Sequence, residues 1–284
     1  MAEVYKGKPV ADAIMERCRK DVAELKEQGI TPALAIVRVG EKKDDISYEK
    51  GAMKRCEDAG VVVRNVILKE DIEKEVFYQT LDELNEDPSI HGILMFRPLP
   101  KYLDKEKAAD YIVPQKDIDG GTIGSLGGVF TDRNIGFTPC TAQAVMEVLS
   151  YYDIDLTGKN VVVIGRSLVI GKPVAMLLMK ENATVTICHT RTQNMKEIAR
   201  KADILICSAG RPEMINAEYV NENQIVIDVG ISWSQAKNKI CGDVLFEEVE
   251  PVVKGITPVP GGLGSVTTAV LVSHVCEAAK RTLQ

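Results

Sequence analysis

Residues 160–173 constrain the fold more than any other stretch of this chain. An apolar, largely β-branched run, Val161 to Ile164, stops at Gly165, and after Arg166 and Ser167 a second glycine, Gly171, precedes a helical pattern with Pro173 near its start. Proline suits the first turn of a helix, where a missing N–H costs nothing. Glycine in the turn lets the backbone approach a pyrophosphate, and the free N–H groups and positive dipole end of the following helix attract its charge. A second strand, Ala183 to Cys188, follows and runs into His189, Thr190, Arg191 and Thr192. The stretch therefore reads as a βαβ unit built to hold a nucleotide.

The spacing differs from the Rossmann glycine pattern, so a tight turn without a ligand stays open on the pattern alone. The end of the second strand says more. An NAD enzyme usually places an acid there, against the ribose 2′-hydroxyl. Here Thr190 and Arg191 stand at that end and Arg166 lies in the phosphate turn. A 2′-phosphate would meet positive charge and a hydroxyl donor, which favours NADP over NAD.

A chain of 284 residues exceeds the usual size of one core, so two domains are expected. Its formal charge of −6 argues against a general nucleic-acid or anionic-membrane binder, though a local basic pocket is compatible with an acidic average. The seven cysteines form no C-x-x-C pair, and no signal peptide or long apolar span is apparent. A reduced, cytoplasmic protein with mostly buried thiols is the expectation. The three histidines have no ligand spacing, so no metal site is expected.

Helical and strand patterns alternate through the first half, the mark of an α/β layer with mostly parallel strands. Helices are expected over 9–28, 47–59 and 72–85, each leading to a strand, at 33–39, 61–68 and 92–97. The glycine-rich span 120–137 lacks helical periodicity and reads as a long loop. A helix over 141–152 then crosses to the nucleotide unit, whose sheet gains strands at 203–207 and 224–228. A helix over 266–282 ends the pattern.

Taken together, the motifs resemble the methylenetetrahydrofolate dehydrogenase/cyclohydrolase (FolD) family. The resemblance rests on the cofactor segment and on further motifs in the family's order: Val39-Gly40 then Tyr48, Pro98-Leu99-Pro100, Lys116 to Gly120, Thr138 to Thr141, and Thr257 to Gly262. It covers essentially the whole chain. It implies an α/β fold with an N-terminal folate-site domain, a Rossmann-like NADP-binding domain and a cleft between them. The folate domain would span 1–140, completed by a C-terminal helix at 266–284, and the nucleotide domain 141–265. Tetrahydrofolate derivatives are the implied partners, with neither nucleic acid nor membrane, and a homodimer is the implied assembly.

The same resemblance assigns roles. The family carries a Tyr and a Lys one helical turn apart, on one face, where each shifts the other's pKa. Tyr48 matches the Tyr, but the Lys position is Ala52. Lys50 and Lys54 lie about 200° and 240° around a regular helix from Tyr48 and read as solvated. The family's Gln before Pro-Leu-Pro is Phe96 here, followed by Arg97. Asp119 matches the carboxylate that hydrogen-bonds the pterin, and Pro260, Gly261 and Gly262 match a loop near substrate and nicotinamide. Gly165, Arg166, Ser167, Gly171, His189, Thr190, Arg191, Ser208, Ala209 and Gly210 form the expected cofactor set. Ser265-Val266-Thr267 replaces the family's Pro-Met-Thr, and Ala142 and Ala144 replace a Pro and a Gly that line its cleft. Read from residues alone, Asp119 fits an Asx turn, Tyr48 a core tyrosine, His189 a structural hydrogen bond and Pro260 to Gly262 a plain turn.

The two departures weigh unequally on the family's two reactions. Oxidation of 5,10-methylenetetrahydrofolate leaves a cation delocalised over the folate's own N5 and N10, so the protein mainly positions donor and acceptor. Hydrolysis of the methenyl product needs a placed acid–base group, ordinarily worth about 10²–10⁴-fold. Ala52 and Phe96 supply neither proton nor hydrogen bond. The expectation is an NADP-dependent dehydrogenase whose cyclohydrolase activity is weak or lost. The alternatives are the fully bifunctional enzyme making 10-formyltetrahydrofolate and a folate- and nucleotide-binding protein without turnover.

Overall fold

Two parallel sheets, each in its own unit, organise the chain; the computed structural model describes residues 2–103, 107–108, 110–235 and 237–283. One unit takes the chain up to Ala11 together with Thr141–Thr267, and the other takes Asp12–Cys140 with Thr268–Gln284. The N-terminal residues therefore join the nucleotide unit, not the folate domain where the sequence reading placed them. The reason is a short strand, β1 (Glu3–Val4), that pairs in parallel with β11 (Gly255–Ile256). Two residues carry too little periodicity to be seen in a sequence.

The sheet of the nucleotide unit has six strands in the order β1, β11, β8 (Ile225–Asp228), β7 (Ile204–Cys207), β5 (Asn160–Ile164) and β6 (Thr184–Cys188). All its pairings are parallel. Central strands of such a sheet are covered on both faces, which is why Val161 to Ile164, Ile204 to Cys207 and Ile225 to Ile227 read as apolar runs. Val161 to Ile164 are all buried, each contributing about 1.5–3 kcal/mol relative to exposure. At the edge, β6 alternates threonine with apolar residues and stays largely exposed until Cys188. A separate antiparallel pair, β9 (Ser232–Ser234) and β10 (Lys239–Cys241), lies outside the sequence expectation.

In the other unit three parallel strands run in the order β3 (Val62–Leu68), β2 (Ala33–Val39) and β4 (Gly92–Met95). Every residue of central β2 is buried, whereas edge strand β3 is largely exposed. Helices α1 (Gly7–Glu27), α2 (Lys43–Ala59) and α3 (Lys74–Glu86) lie close to the predicted spans. Phe77 and Leu81 of α3 are fully buried with Ala35, Val37 and Ile93 of the sheet in one core cluster.

The glycine-rich span is not wholly loop: α4 covers Ile123–Thr131. Thr122 caps it, its side chain accepting from Ser125 N. The glycines that hid this helix permit close packing. A Cβ on Gly124 would come within 2.4 Å of Pro114, and one on Gly128 within 2.7 Å of the Arg133 carbonyl. Helix α5 (Cys140–Tyr151) agrees in span with the helix expected over 141–152, α6 is Gly171–Lys180, α7 is Met195–Arg200, α8 is Phe246–Val249, and α9 (Leu263–Arg281) is the long C-terminal helix. Among the described residues no helix is long and apolar enough to cross a membrane.

Candidate active site

A candidate nucleotide site forms where β5 gives way to α6. Gly165 continues the ladder, its N–H donating to the Cys188 carbonyl at 2.9 Å, then turns with φ +139°, a conformation essentially reserved for glycine. Ser208 N and Ser208 Oγ both donate to the Ile164 carbonyl, at 2.8 and 3.0 Å, and so close the adjoining loop. A Cβ on Gly165 would lie 2.2 Å from Ser208 Oγ and 2.4 Å from its carbonyl. Gly171 is equally tight, since a Cβ there would meet the Gly165 carbonyl at 2.3 Å. Ser167 Oγ accepts from Ile170 N at 3.2 Å and its carbonyl accepts from Lys172 N at 3.0 Å, which sets the start of α6.

A cavity of about 380 Å³ opens beside this turn. Gly165, Arg166, Ser167, His189, Thr190, Ser208 and Ala209 line it, so seven of the predicted cofactor residues share one cavity. Gly171, Arg191 and Gly210 are outside that lining. Gly171 acts through packing, and Gly210 N is held by Asp243. Arg191 is exposed, and its N–H donates to His189 Nδ1 at 3.2 Å. With Nδ1 accepting, the ring proton of neutral His189 belongs on Nε2, where it can be donated to a ligand. The lining also includes Met195, Met214 and Tyr219, large side chains suited to a flat base, and Arg211, which the sequence reading missed. The glycine-shaped cradle, the helix start that no side chain caps and the two lining arginines, Arg166 and Arg211, fit a dinucleotide phosphate.

A buried acid behind the cavity also escaped the sequence reading. Asp243 is fully buried and accepts from Gly210 N at 3.0 Å and Arg211 N at 2.9 Å, holding the loop that carries Ala209 and Arg211. Asp228 supports it from behind, accepting from Gly230 N, Asp243 N and Val244 N. Burial pushes the Asp228 carboxyl up to about 7 against those hydrogen bonds. Pro260, Gly261 and Gly262 belong to this unit, where the Gly261 carbonyl accepts from Gly7 N and Gly261 has φ +104°.

In the other unit, Tyr48 stands on α2 and meets Phe96 edge-on, ring centroids 5.7 Å apart at 88°. The surrounding protein desolvates the Tyr48 hydroxyl and raises it above the ordinary phenol value, with Cys140 and Asp119 adding to the shift. Ala52, one turn on, is completely buried, while Lys50 and Lys54 are exposed. The face that carries a lysine in the family is therefore apolar here. A buried ion pair fixes this part of α2: Arg38 Nε donates to Glu49 Oε2 at 2.7 Å, with both side chains below 10 % exposed. Arg38 in an otherwise apolar strand was the sequence signal for it, because a buried cation requires a partner. Lys42 Nζ donates to the Pro98 carbonyl at 2.8 Å and ties the start of α2 to the segment after β4.

The Lys116 to Gly120 motif divides its work among three side chains. Lys116 Nζ donates to the carbonyls of Leu84 and Asp87, a structural tie. Asp117 is buried and accepts from Gly121 N, Thr122 N and Ser125 Oγ, so it organises the turn into α4. That leaves Asp119 directed at the site, where its Oδ2 accepts from Arg97 Nη2 at 3.3 Å. Desolvation raises the Asp119 carboxyl to about 6; Arg97 pulls it down, Asp117 pushes it up, and a hydrogen bond from Cys140 lowers it. The partner side chain is Arg97, not a backbone amide, so the contact differs from the Asx turn that the residues alone allowed.

One unit with a parallel sheet and a glycine-shaped phosphate turn, and a second unit that carries a tyrosine and a carboxylate, are the parts of a two-domain nucleotide-dependent dehydrogenase. The family model for the tetrahydrofolate dehydrogenase/cyclohydrolase catalytic domain matches residues 5–119, and that for the family's NAD(P)-binding domain matches 139–283. Relatives extend over the full length. The bifunctional protein FolD of Carboxydothermus hydrogenoformans is 53% identical over 279 residues, 98% of this chain and 97% of that protein. The crystal structure of the bifunctional FolD enzyme from Campylobacter jejuni superposes with a TM-score of 0.96 at 36% identity, covering 99% of this chain and 100% of that one. The Trypanosoma brucei methylenetetrahydrofolate dehydrogenase-cyclohydrolase, solved with NADP cofactor and inhibitor, gives 0.92 at 34% identity, covering 100% and 99%. The chain belongs to the tetrahydrofolate dehydrogenase/cyclohydrolase (FolD) family, and NAD(P) is the cofactor of its nucleotide unit.

Proposed function

We propose that this protein oxidises 5,10-methylenetetrahydrofolate to the methenyl form with NADP⁺ and hydrolyses that product slowly or not at all. The observation that carries the reading is the apolar wall beside Tyr48: Ala52 fully buried one turn away, and the edge of Phe96 packed on the phenol. NADP⁺ supplies the hydride acceptor, held by the Gly165 turn and by Arg166, His189 and Thr190. Asp119 orients the folate by accepting from its pterin N–H groups, and Tyr48 and Phe96 bound the folate ring. Because the developing cation is shared by the folate's own nitrogens, this step asks the protein for position and little else. Attack of water on the methenyl carbon asks for a proton acceptor and later a donor. The Tyr48 hydroxyl, raised by burial, holds its proton at neutral pH and makes a poor base.

One observation favours the full bifunctional activity of the named relatives. Lys42 places its ammonium on the Pro98 carbonyl, within the motif that follows Phe96, and a lysine there could take over the proton work. Stopped-flow mixing with methenyltetrahydrofolate separates the readings. Hydrolysis at the buffer rate supports the dehydrogenase reading; fast hydrolysis lost in Lys42→Ala supports the displaced lysine. Homodimer formation is the assembly that membership of the family suggests, and sedimentation tests it.

A further inference from the structure

Arg97 takes part in none of the chemistry assigned above, yet its guanidinium is the hydrogen-bond partner of Asp119, at 3.3 Å. Both side chains are accessible, at 39% and 38%. Gly121 makes room for the guanidinium: a Cβ on that residue would fall 2.6 Å from Arg97 Nη2. Gly121 is itself fixed by Asp117 through its own N–H, so the shelf under the guanidinium is rigid. Arginine carries a planar set of N–H donors. Among the described residues Asp119 is the hydrogen-bond partner of that set, and the remaining donors are open to a ligand. A carboxylate beside a guanidinium thus presents two acceptor oxygens next to a donor edge.

We propose that Arg97 is a folate-binding residue that acts as one recognition unit with Asp119. The edge of a pterin offers two N–H donors, on the 2-amino group and N3, followed by the C4 carbonyl acceptor. Asp119 takes the two donors, and Arg97 donates to the carbonyl. This rests on the folate reading above and goes beyond it by assigning the second half of the pterin contact to Arg97. Arg97 has a second effect, on the charge of its partner. Asp119 must be ionised to accept both N–H groups, and desolvation holds its carboxyl near 6 even with Arg97 beside it. The other titratable groups facing it are Asp117, which raises it, the Cys140 thiol, which hydrogen-bonds to it, and the Tyr48 phenol.

The test is folate affinity against pH for the full-length protein and for Arg97→Met, Arg97→Lys and Asp119→Asn. Calorimetry with tetrahydrofolate gives the affinity, and NADP⁺ affinity and thermal unfolding are recorded in parallel. Arg97→Met should weaken tetrahydrofolate roughly 10- to 100-fold at pH 7.5 or so, the scale of a lost hydrogen bond from a charged donor. It should also move the acidic fall in affinity from near pH 6 to higher pH. Arg97→Lys should return that fall toward its original pH while recovering affinity only in part, since a point charge lacks the fork. NADP⁺ affinity should stay put. If Arg97→Met binds tetrahydrofolate like the unmodified protein while Asp119→Asn loses it, the Arg97 proposal fails and the folate reading stands. A loss in Arg97→Met that follows the unfolding temperature, with the pH of the fall unchanged, makes Arg97 merely structural and also overturns the proposal. Absence of tetrahydrofolate binding by the unmodified protein overturns both readings.

Discussion

Replacing Asp243 by alanine tests whether a buried carboxylate shapes the cofactor cavity. Two amides depend on it, Gly210 N at 3.0 Å and Arg211 N at 2.9 Å, and both are partly buried. Each unsatisfied amide costs about 1–3 kcal/mol, and water reaching the partly buried pair favours the lower half of the summed range, about 2–4 kcal/mol. At roughly 2–4 °C per kcal/mol for a chain of this size, Tm should fall by about 4–16 °C. The freed loop carries Ala209 and Arg211 of the cavity wall, so NADP⁺ should bind more weakly while tetrahydrofolate affinity is little changed. Asp243→Asn, which keeps one acceptor oxygen, should fall between. Differential scanning calorimetry and titration with NADP⁺ measure both effects. An unchanged Tm together with an unchanged NADP⁺ affinity in Asp243→Ala would refute the reasoning.

Gly165→Ala places a Cβ 2.2 Å from Ser208 Oγ and 2.4 Å from a backbone oxygen at φ +139°, so NADP⁺ binding should drop by at least roughly 30-fold or the nucleotide unit should unfold. Titration and circular dichroism distinguish the two; near-normal affinity counts against the phosphate turn. Arg166→Ala should weaken NADP⁺ by about 1–3 kcal/mol and NAD⁺ by much less, measured as separate dissociation constants, and equal losses would remove Arg166 from 2′-phosphate recognition. Burial pushes the folded-state Asp228 carboxyl up to about 7, above the ordinary aspartate value of about 4, so the unfolded chain gives up this proton first. This group's contribution therefore makes stability fall as pH rises from about 4 to about 7, then level off. Across that window urea unfolding should show stability rising more with pH, or falling less, in Asp228→Ala than in the unmodified protein, and equal slopes would show that Asp228 is not the group responsible.

Much of this architecture is legible in the sequence because parallel strands announce themselves. Val161 to Ile164 and Ile204 to Cys207 are unbroken apolar runs, Ala33 to Val39 is apolar but for Arg38, and each is a buried strand. The turn at Gly165 is legible for a related reason, since few residues other than glycine adopt its conformation. What escaped depends on pairing across long sequence distances. Glu3–Val4 is a strand only because Gly255–Ile256 lies beside it, and Asp243 matters only because the 208–211 loop folds against it. Helix α4 was hidden by its glycines, whose low helix propensity is outweighed by the close packing they permit against Pro114 and Arg133. On the folate side Tyr48, Ala52, Phe96 and Asp119 were named from resemblance. Their surroundings were not: the Arg38–Glu49 pair and the Arg97–Asp119 contact exist only in three dimensions.

The wall formed by Ala52 and Phe96 is tested most directly by a single time course with methylenetetrahydrofolate and NADP⁺, followed separately for reduced cofactor and for the methenyl chromophore. NADPH and methenyltetrahydrofolate should rise together in equal amounts, the methenyl form decaying only at the rate of a buffer control. Introducing Ala52→Lys with Phe96→Gln should speed that decay more than either change alone, because both positions act on one reacting centre. If the unmodified protein forms NADPH while the methenyl form never accumulates and 10-formyltetrahydrofolate appears in its place, another residue supplies the protons and the monofunctional reading is contradicted.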